Sequence, residues 1–198
     1  LIAYSTIMHM GYLFMAVGLR TEFGLQAALF HLINHSIAKA LLFLAAGIFV
    51  NTANSRNLED LSGMGRKMPI ATFGVAIASF GLAGVPPLNV FFSKLLLFNA
   101  FIERSIFLGL ILVLSSITAL IAYIKVFYVL WFGRSKKDVK KEEPLSMSLT
   151  CLILALICVI LGLMAPVIID RLITPAVGQI LDYQSYISII LKLAGGLY

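Results

Sequence analysis

Six apolar runs, each closed by charge or by Gly and Pro, take up most of this chain of 198 residues. They lie at about 2–19, 25–50, 69–85, 89–103, 105–133 and 146–168. A soluble core of this size cannot cover so many long apolar segments, whereas a bilayer covers each of them, because about 20 apolar residues span its hydrocarbon. Composition agrees. Hydrophobic residues make up 61% and charged residues only 12%, with a mean hydropathy of +1.01, while soluble domains average about a quarter charged. The net charge of +6 is therefore no sign of nucleic acid, since Lys and Arg gather at the ends of the runs, where they meet headgroups and water. The expectation is an all-α integral membrane protein in contact with lipid, with about six transmembrane helices, one of them interrupted near Pro86 and Pro87.

Arg20, Thr21 and Glu22 close the first run. A polar loop from Asn51 to Met68 holds Arg56, Glu59, Asp60, Arg66 and Lys67, and Pro69 after it suits the first turn of a helix. The most charged segment, Arg134 to Glu143, has five basic and three acidic residues. Residues 1–171 read as one transmembrane domain. In the tail, 172–198, Asp182, Gln184 and Lys192 interrupt the apolar residues, which leaves a seventh span or an interfacial helix. If 69–85 and 89–103 each cross once, Arg20 and the 134–143 loop share a side. That side holds six basic residues, Arg20, Arg134, Lys136, Lys137, Lys140 and Lys141, against five on the other, Arg56, Arg66, Lys67, Arg104 and Arg171. Positive charge then places the 134–143 loop in the cytoplasm. Cys151 and Cys158 lie seven apart on one helix, about 10 Å along its axis, which is too far for a disulfide; they read as small core residues. The chain is apolar from Leu1 onward and shows no signal-peptide pattern. Its lack of a leading Met leaves a fragment, a processed chain or a non-standard start open.

The second run carries the chemistry. His31, His35 and Lys39 recur every four residues, so at 100° per residue they share one slowly drifting stripe about 12 Å long. Asn34 and Ser36 add polarity beside it. Lys39 sits roughly 16 Å from the nearer end of its helix, too deep to snorkel. An ammonium at that depth costs about 2.5–3.5 kcal/mol to insert and must face a protein interior, a partner charge or water. The stripe suits an ion relay; a lysine paired statically to a neighbouring helix remains open. His-x3-His is also a metal spacing, but no carboxylate or cysteine stands near as a third ligand, so no metal is expected.

The second feature is Gly84-Val85-Pro86-Pro87-Leu88, followed by Lys94. Two adjacent prolines remove two backbone donors and clash with the preceding turn. A helix broken at membrane depth leaves carbonyls and amides that lipid cannot satisfy, so such a break lines a cavity or a hydrated path, unless it is only a turn with Lys94 near the interface. Lys125, eight residues before Gly133, is a third candidate. Nothing resembles a nucleophile–base pair, a phosphate loop or a dinucleotide fingerprint. No catalytic site or cofactor of the chain's own is expected.

At these residues the sequence resembles a known family. Leu1-Ile2-Ala3-Tyr4-Ser5-Thr6-Ile7 with Gly11-Tyr12, His31 and His35, Lys39 to Gly47, Gly63 to Pro69, and Gly84-Val85-Pro86-Pro87 to Phe91-Phe92-Ser93-Lys94 look like the antiporter-like membrane subunits of respiratory complex I. These are similar to Mrp-type sodium/proton antiporters and to membrane subunits of energy-converting hydrogenases. The resemblance covers the chain to about residue 133. It implies that His31, His35 and Lys39 relay protons toward Lys94 on a broken helix, and that Lys125 occupies an often basic position. Where members often have Gly before Phe-Phe-Ser-Lys, this chain has Val90. A full member holds two inverted repeats, and this chain resembles the C-terminal one; the glutamate–lysine pair of the first repeat, and a lysine just before Leu1, are absent. The resemblance therefore implies a proton- or sodium/proton-translocating subunit, or half-subunit, of a multisubunit complex in a prokaryotic cell membrane. Its partners would be other membrane subunits, including one that supplies the N-terminal repeat. A structural subunit without translocation of its own is the alternative.

Overall fold

A computed structural model describes residues 2–134 and 143–195. The six apolar runs all form helices: α1 (Ile2–Gly18), α2 (Glu22–Ala53), α3 (Pro69–Ala83), α4 (Asn89–Arg104), α5 (Ile106–Phe132) and α6 (Leu145–Leu163). A 3-10 turn, Met64–Arg66, precedes α3. After α6 come α7 (Ala165–Ile168), a π-helical turn (Ile169–Ile173), α8 (Thr174–Leu181) and α9 (Tyr183–Gly195). The sixth run thus stops at Leu163, earlier than its hydropathy suggests, and restarts as the short helix that carries Pro166 in its first turn.

α2 is the hub. Thr21 caps it, its hydroxyl accepting from Gly24 N at 3.0 Å, and it packs against α1, α3, α4 and α6. With 32 residues it is about 48 Å long, more than the roughly 30 Å of a bilayer core. Gly74 of α3 lies against Leu41 and Ala45 of α2, while Asn89 and Ser93 of α4 bond Asn34 and His31. Rising numbers along α3 and α4 therefore meet falling numbers along α2. The two helices run antiparallel to α2, one after the other, as a single interrupted crossing. At 15 and 16 residues each is only about 22–24 Å long, too short to cross alone.

That geometry corrects the side assignment that follows from counting 69–85 and 89–103 as two crossings. Gly63 N donates to Val129 O at 3.0 Å and Arg66 Nε to Trp131 O at 3.1 Å, so the 51–68 loop docks on the C-terminal end of α5. The Glu143 carboxylate meanwhile accepts from Ala71 N at the start of α3. Arg56, Arg66, Lys67 and Arg134 gather at this end, and Arg20, Arg104 and Arg171 at the other. Lys136, Lys137, Lys140 and Lys141 lie outside the described residues. Arg20 is thus opposite Arg134, and of these described residues four basic ones lie at the Arg134 end against three at the other. By the positive-inside rule that end is expected to be the cytoplasmic one. A single cysteine at position 66 is expected to react with a membrane-impermeant maleimide in inside-out vesicles and not in right-side-out cells; the reverse pattern would overturn this orientation.

At the opposite end Ala165, Ile173 and Val177 pack on Phe30 of α2. α9 has 13 residues, about 20 Å, and its described side chains are exposed.

Candidate functional site

The stripe on α2 points inward. His31, His35 and Lys39 are 0%, 3% and 5% exposed. Facing them from α1 is a residue that the α2 spacing does not reveal: His9, also fully buried. Its Nδ1 lies 3.0 Å from His31 Nε2, and the two rings stack with centroids 5.2 Å apart. The His35 ring sits 4.7 Å from that of His9, tilted by 34°. His31 and His35, on one helix, are 6.1 Å apart, so the three rings form a triangle in which His9 packs against both. The other nitrogen of His31, Nδ1, lies 2.9 Å from Ser93 Oγ on α4.

The hydrogen-bond network assigns the protons. Ser93 Oγ donates to Val90 O at 3.0 Å, so it accepts from His31 Nδ1. His31 Nε2 is then the acceptor of its ring when neutral, and His9 Nδ1 donates to it. This leaves His9 Nε2 as a bare acceptor, and that atom is buried without a partner, as is His35 Nε2. The chain His9–His31–Ser93 thus has a direction, and two open imidazole nitrogens lie at its start.

A lysine stands at each flank. Lys39 Nζ donates to Ile2 O at 2.8 Å, to Ser5 Oγ and to Tyr123 OH at 3.5 Å, and it lies 5.9 Å from the Phe43 and Tyr123 ring centres. Lys94, next in sequence to Ser93, is 6% exposed. It donates to Ala83 O at 3.2 Å and to Ser116 Oγ at 3.1 Å. Beside Ser116, Ser115 Oγ bonds Tyr12 OH, whose ring stands edge-on to His9 and His31. Among the described residues no carboxylate pairs with either lysine.

The interrupted crossing explains the position of Lys94. Gly84 ends α3 at φ +93°, a left-handed conformation that favours glycine. The amides of Gly84 and Val85 both return to Phe80 O, and the Pro86–Pro87 bond is cis. With no helix continuing past Gly84, Ala83 O is free to accept from Lys94. α6 holds the break from behind: a Cβ on Gly162 would strike Pro87 O and come within 2.9 Å of Asn89 N, so only glycine allows this approach. A cavity of about 320 Å³, lined among others by Gly84, Lys94 and Ser116, opens beside the ammonium.

Of the sequence candidates, then, His31, His35, Lys39 and Lys94 lie in the buried interior, and Gly84, Pro86 and Pro87 form the break beside Lys94. Lys125 does not join them; it is exposed on α5. His9 leaves one trace in the sequence. Ser5, His9 and Tyr12, spaced i, i+4, i+7 in an apolar helix, share a face.

Comparison with known proteins places this arrangement. A family model described as NADH:quinone oxidoreductase/Mrp antiporter, transmembrane, matches residues 1–122. A protein described as antiporter subunit mnhD2 of Staphylococcus aureus (strain N315) is 31% identical over 173 residues, which are 85% of this chain and 34% of that protein. The structure of the Mrp complex from Dietzia sp. DQ12-45-1b contains a chain with a TM-score of 0.88 at 23% identity, covering 96% of this chain and 44% of that one. A chain of the membrane-bound sulfane sulfur reductase, an archaeal respiratory membrane complex, gives a TM-score of 0.85 at 28% identity, covering 94% of this chain and 38% of that one. The chain thus spans about a third of the length of the curated relative. Matched by the family model over well more than half of its own length, this multi-pass protein of the cell membrane belongs to the NADH:quinone oxidoreductase/Mrp antiporter family.

Proposed function

We propose that the chain moves protons through the membrane along His35, His9, His31 and Ser93 to Lys94, as part of a larger ion-translocating complex. The observation that carries this reading is the buried, directional hydrogen-bond chain His9–His31–Ser93, whose end is next in sequence to a lysine with no counter-ion among the described residues. A proton arriving at His9 Nε2 lets His9 Nδ1 release its own to His31 Nε2. His31 Nδ1 then releases one to the Ser93 hydroxyl, which gives up its own proton, turned from Val90 O, through a bridging water to a Lys94 amine that has already released one. The bare nitrogens of His35 and His9, on rings 4.7 Å apart, are where a bridging water would hand the proton from one to the other. Lys39 stands on the same stripe with three neutral oxygen partners, a setting that leaves its ammonium free to exchange.

The alternative, a static scaffold, calls for buried lysines locked to carboxylates, and Lys39 has oxygen partners of another kind. Because the chain spans only part of the length of its relatives, the reading includes a partner subunit that supplies the N-terminal repeat. It also includes an interfacial position for the tail, supported by α9 being about 20 Å long, below the width of a bilayer core.

The test is Ser93→Ala in the assembled complex, reconstituted into vesicles with a pH-sensitive dye and a sodium-sensitive dye. Removing the acceptor of His31 Nδ1 is expected to lower proton flux about tenfold, the equivalent of one buried hydrogen bond. Ser93→Thr, which keeps the hydroxyl, restores it. Wild-type flux in Ser93→Ala would sink the proposed path.

A further inference from the structure

α1 and α5 are tied across their seam by the Tyr12–Ser115 bond and by Lys39, which bridges Ser5 of α1 and Tyr123 of α5. Outside these ties the seam is open. One cavity of about 220 Å³ is lined by Ser5, Thr118 and Ala122, and a second of about 500 Å³ by Ala3, Val126 and Leu130. Together they follow α5 from Thr118 to Leu130, about 18 Å at 1.5 Å per residue. The walls are mostly apolar, with small residues Ala3, Ser5, Thr118 and Ala122 among them, so another helix backbone can come close.

Two basic residues mark this groove: Arg56 lines the second cavity, and Lys125 stands beside the first. Lys125 lies seven residues from Thr118, which on a helix is only about 20° away on the same face, so it stands on the outer lip. It is exposed, and among the described residues it has no hydrogen-bond or ionic partner. The end of α5 at Phe132 is seven residues further on, about 10 Å away, and Tyr128 and Phe132, both exposed, fill the intervening turns. A lysine facing hydrocarbon at that depth is costly unless an opposite charge meets it.

We infer that the α1–α5 groove is the seat of a transmembrane helix from a partner subunit, and that this helix presents a carboxylate to Lys125. The inference rests on the proposal that the chain works within a complex, and names the face and chemistry of one contact. The incoming helix also covers Ser5 and Tyr123, the oxygen partners of Lys39, so the seat lies directly over one end of the buried stripe. Charge complementarity selects the occupant: a lipid tail fills the groove equally well but leaves the ammonium unpaired.

The experiment places a photo-crosslinking amino acid at position 125, and separately at 118, in the whole complex in its native membrane, and maps the products by mass spectrometry. The expected product from both positions is one transmembrane peptide of a partner subunit with Asp or Glu within a turn of the crosslink. Lys125→Glu is expected to lower the amount of assembled complex on the order of tenfold, and reversing the charge of the mapped carboxylate to Lys restores it. Crosslinks to lipid alone, to another part of the same polypeptide or to a helix without an acidic residue would overturn the inference, as would wild-type assembly of Lys125→Glu. None of these measurements reads ion flux, so they fail independently of the Ser93 test.

Discussion

Lys94→Ala is expected to abolish proton flux while the complex still assembles, and Lys39→Ala to do the same. Both ammonium groups are buried among neutral oxygens, with no carboxylate partner among the described residues, so their removal strands no buried counter-charge. That is the circumstance in which loss of a buried charge is least damaging to folding. At Lys94 the shortened side chain merely enlarges the cavity already open beside it. Assembly, measured as the yield of intact complex from membranes, should therefore persist, at a cost of about 1–3 kcal/mol for the buried oxygens left without a donor. Flux should fall by at least a hundredfold, the lower range for removing a positioned proton carrier.

Lys94→Arg decides between two roles for the charge. Arginine keeps a cation in the same place but does not release its proton. If Lys94 passes protons, the arginine variant is as inactive as the alanine variant. If Lys94 acts only as a fixed charge that orders the break, arginine keeps most of the flux and the carrier role is lost. Flux near wild type in Lys94→Ala would remove Lys94 from the path altogether.

The structure and the family match agree with the sequence wherever the signal lies within one segment. Six apolar runs form six helices, because hydropathy and terminal charge are properties of each run. The α2 stripe is inward-facing as its four-residue spacing implies, and the Gly84 to Pro87 segment breaks a helix because proline chemistry is local. What escapes the sequence is relational. Whether α3 and α4 make one crossing or two depends on their common direction along α2, which no spacing encodes. Lys125 faces outward because the α1–α5 seam leaves that side of α5 open, and on α5 alone it cannot be told from an inward residue. His9 is the clearest case. It has no other histidine, lysine or carboxylate on its own helix, and its partner lies 22 residues away on the next one.

His9 is accordingly the sharpest test of the relay. His31 and His35 have ring centroids 6.1 Å apart and share no hydrogen bond; in the proposed path His9, whose ring packs against both, passes the proton from His35 to the directed chain that ends at Ser93. Two substitutions separate its roles. His9→Leu removes both the bond and the carrier, leaving His31 Nε2 buried without a donor, at about 1–3 kcal/mol of stability. His9→Gln offers an amide that can still donate to His31 Nε2 but cannot take up and release a proton. If His9 carries protons, both variants lose flux by about a hundredfold or more, while only the leucine variant shows a lower unfolding temperature. If His9 merely braces His31, glutamine restores flux along with stability. Recovery of wild-type flux in His9→Gln would therefore end the proton-carrying role of His9, leaving a path that reaches His31 by another way.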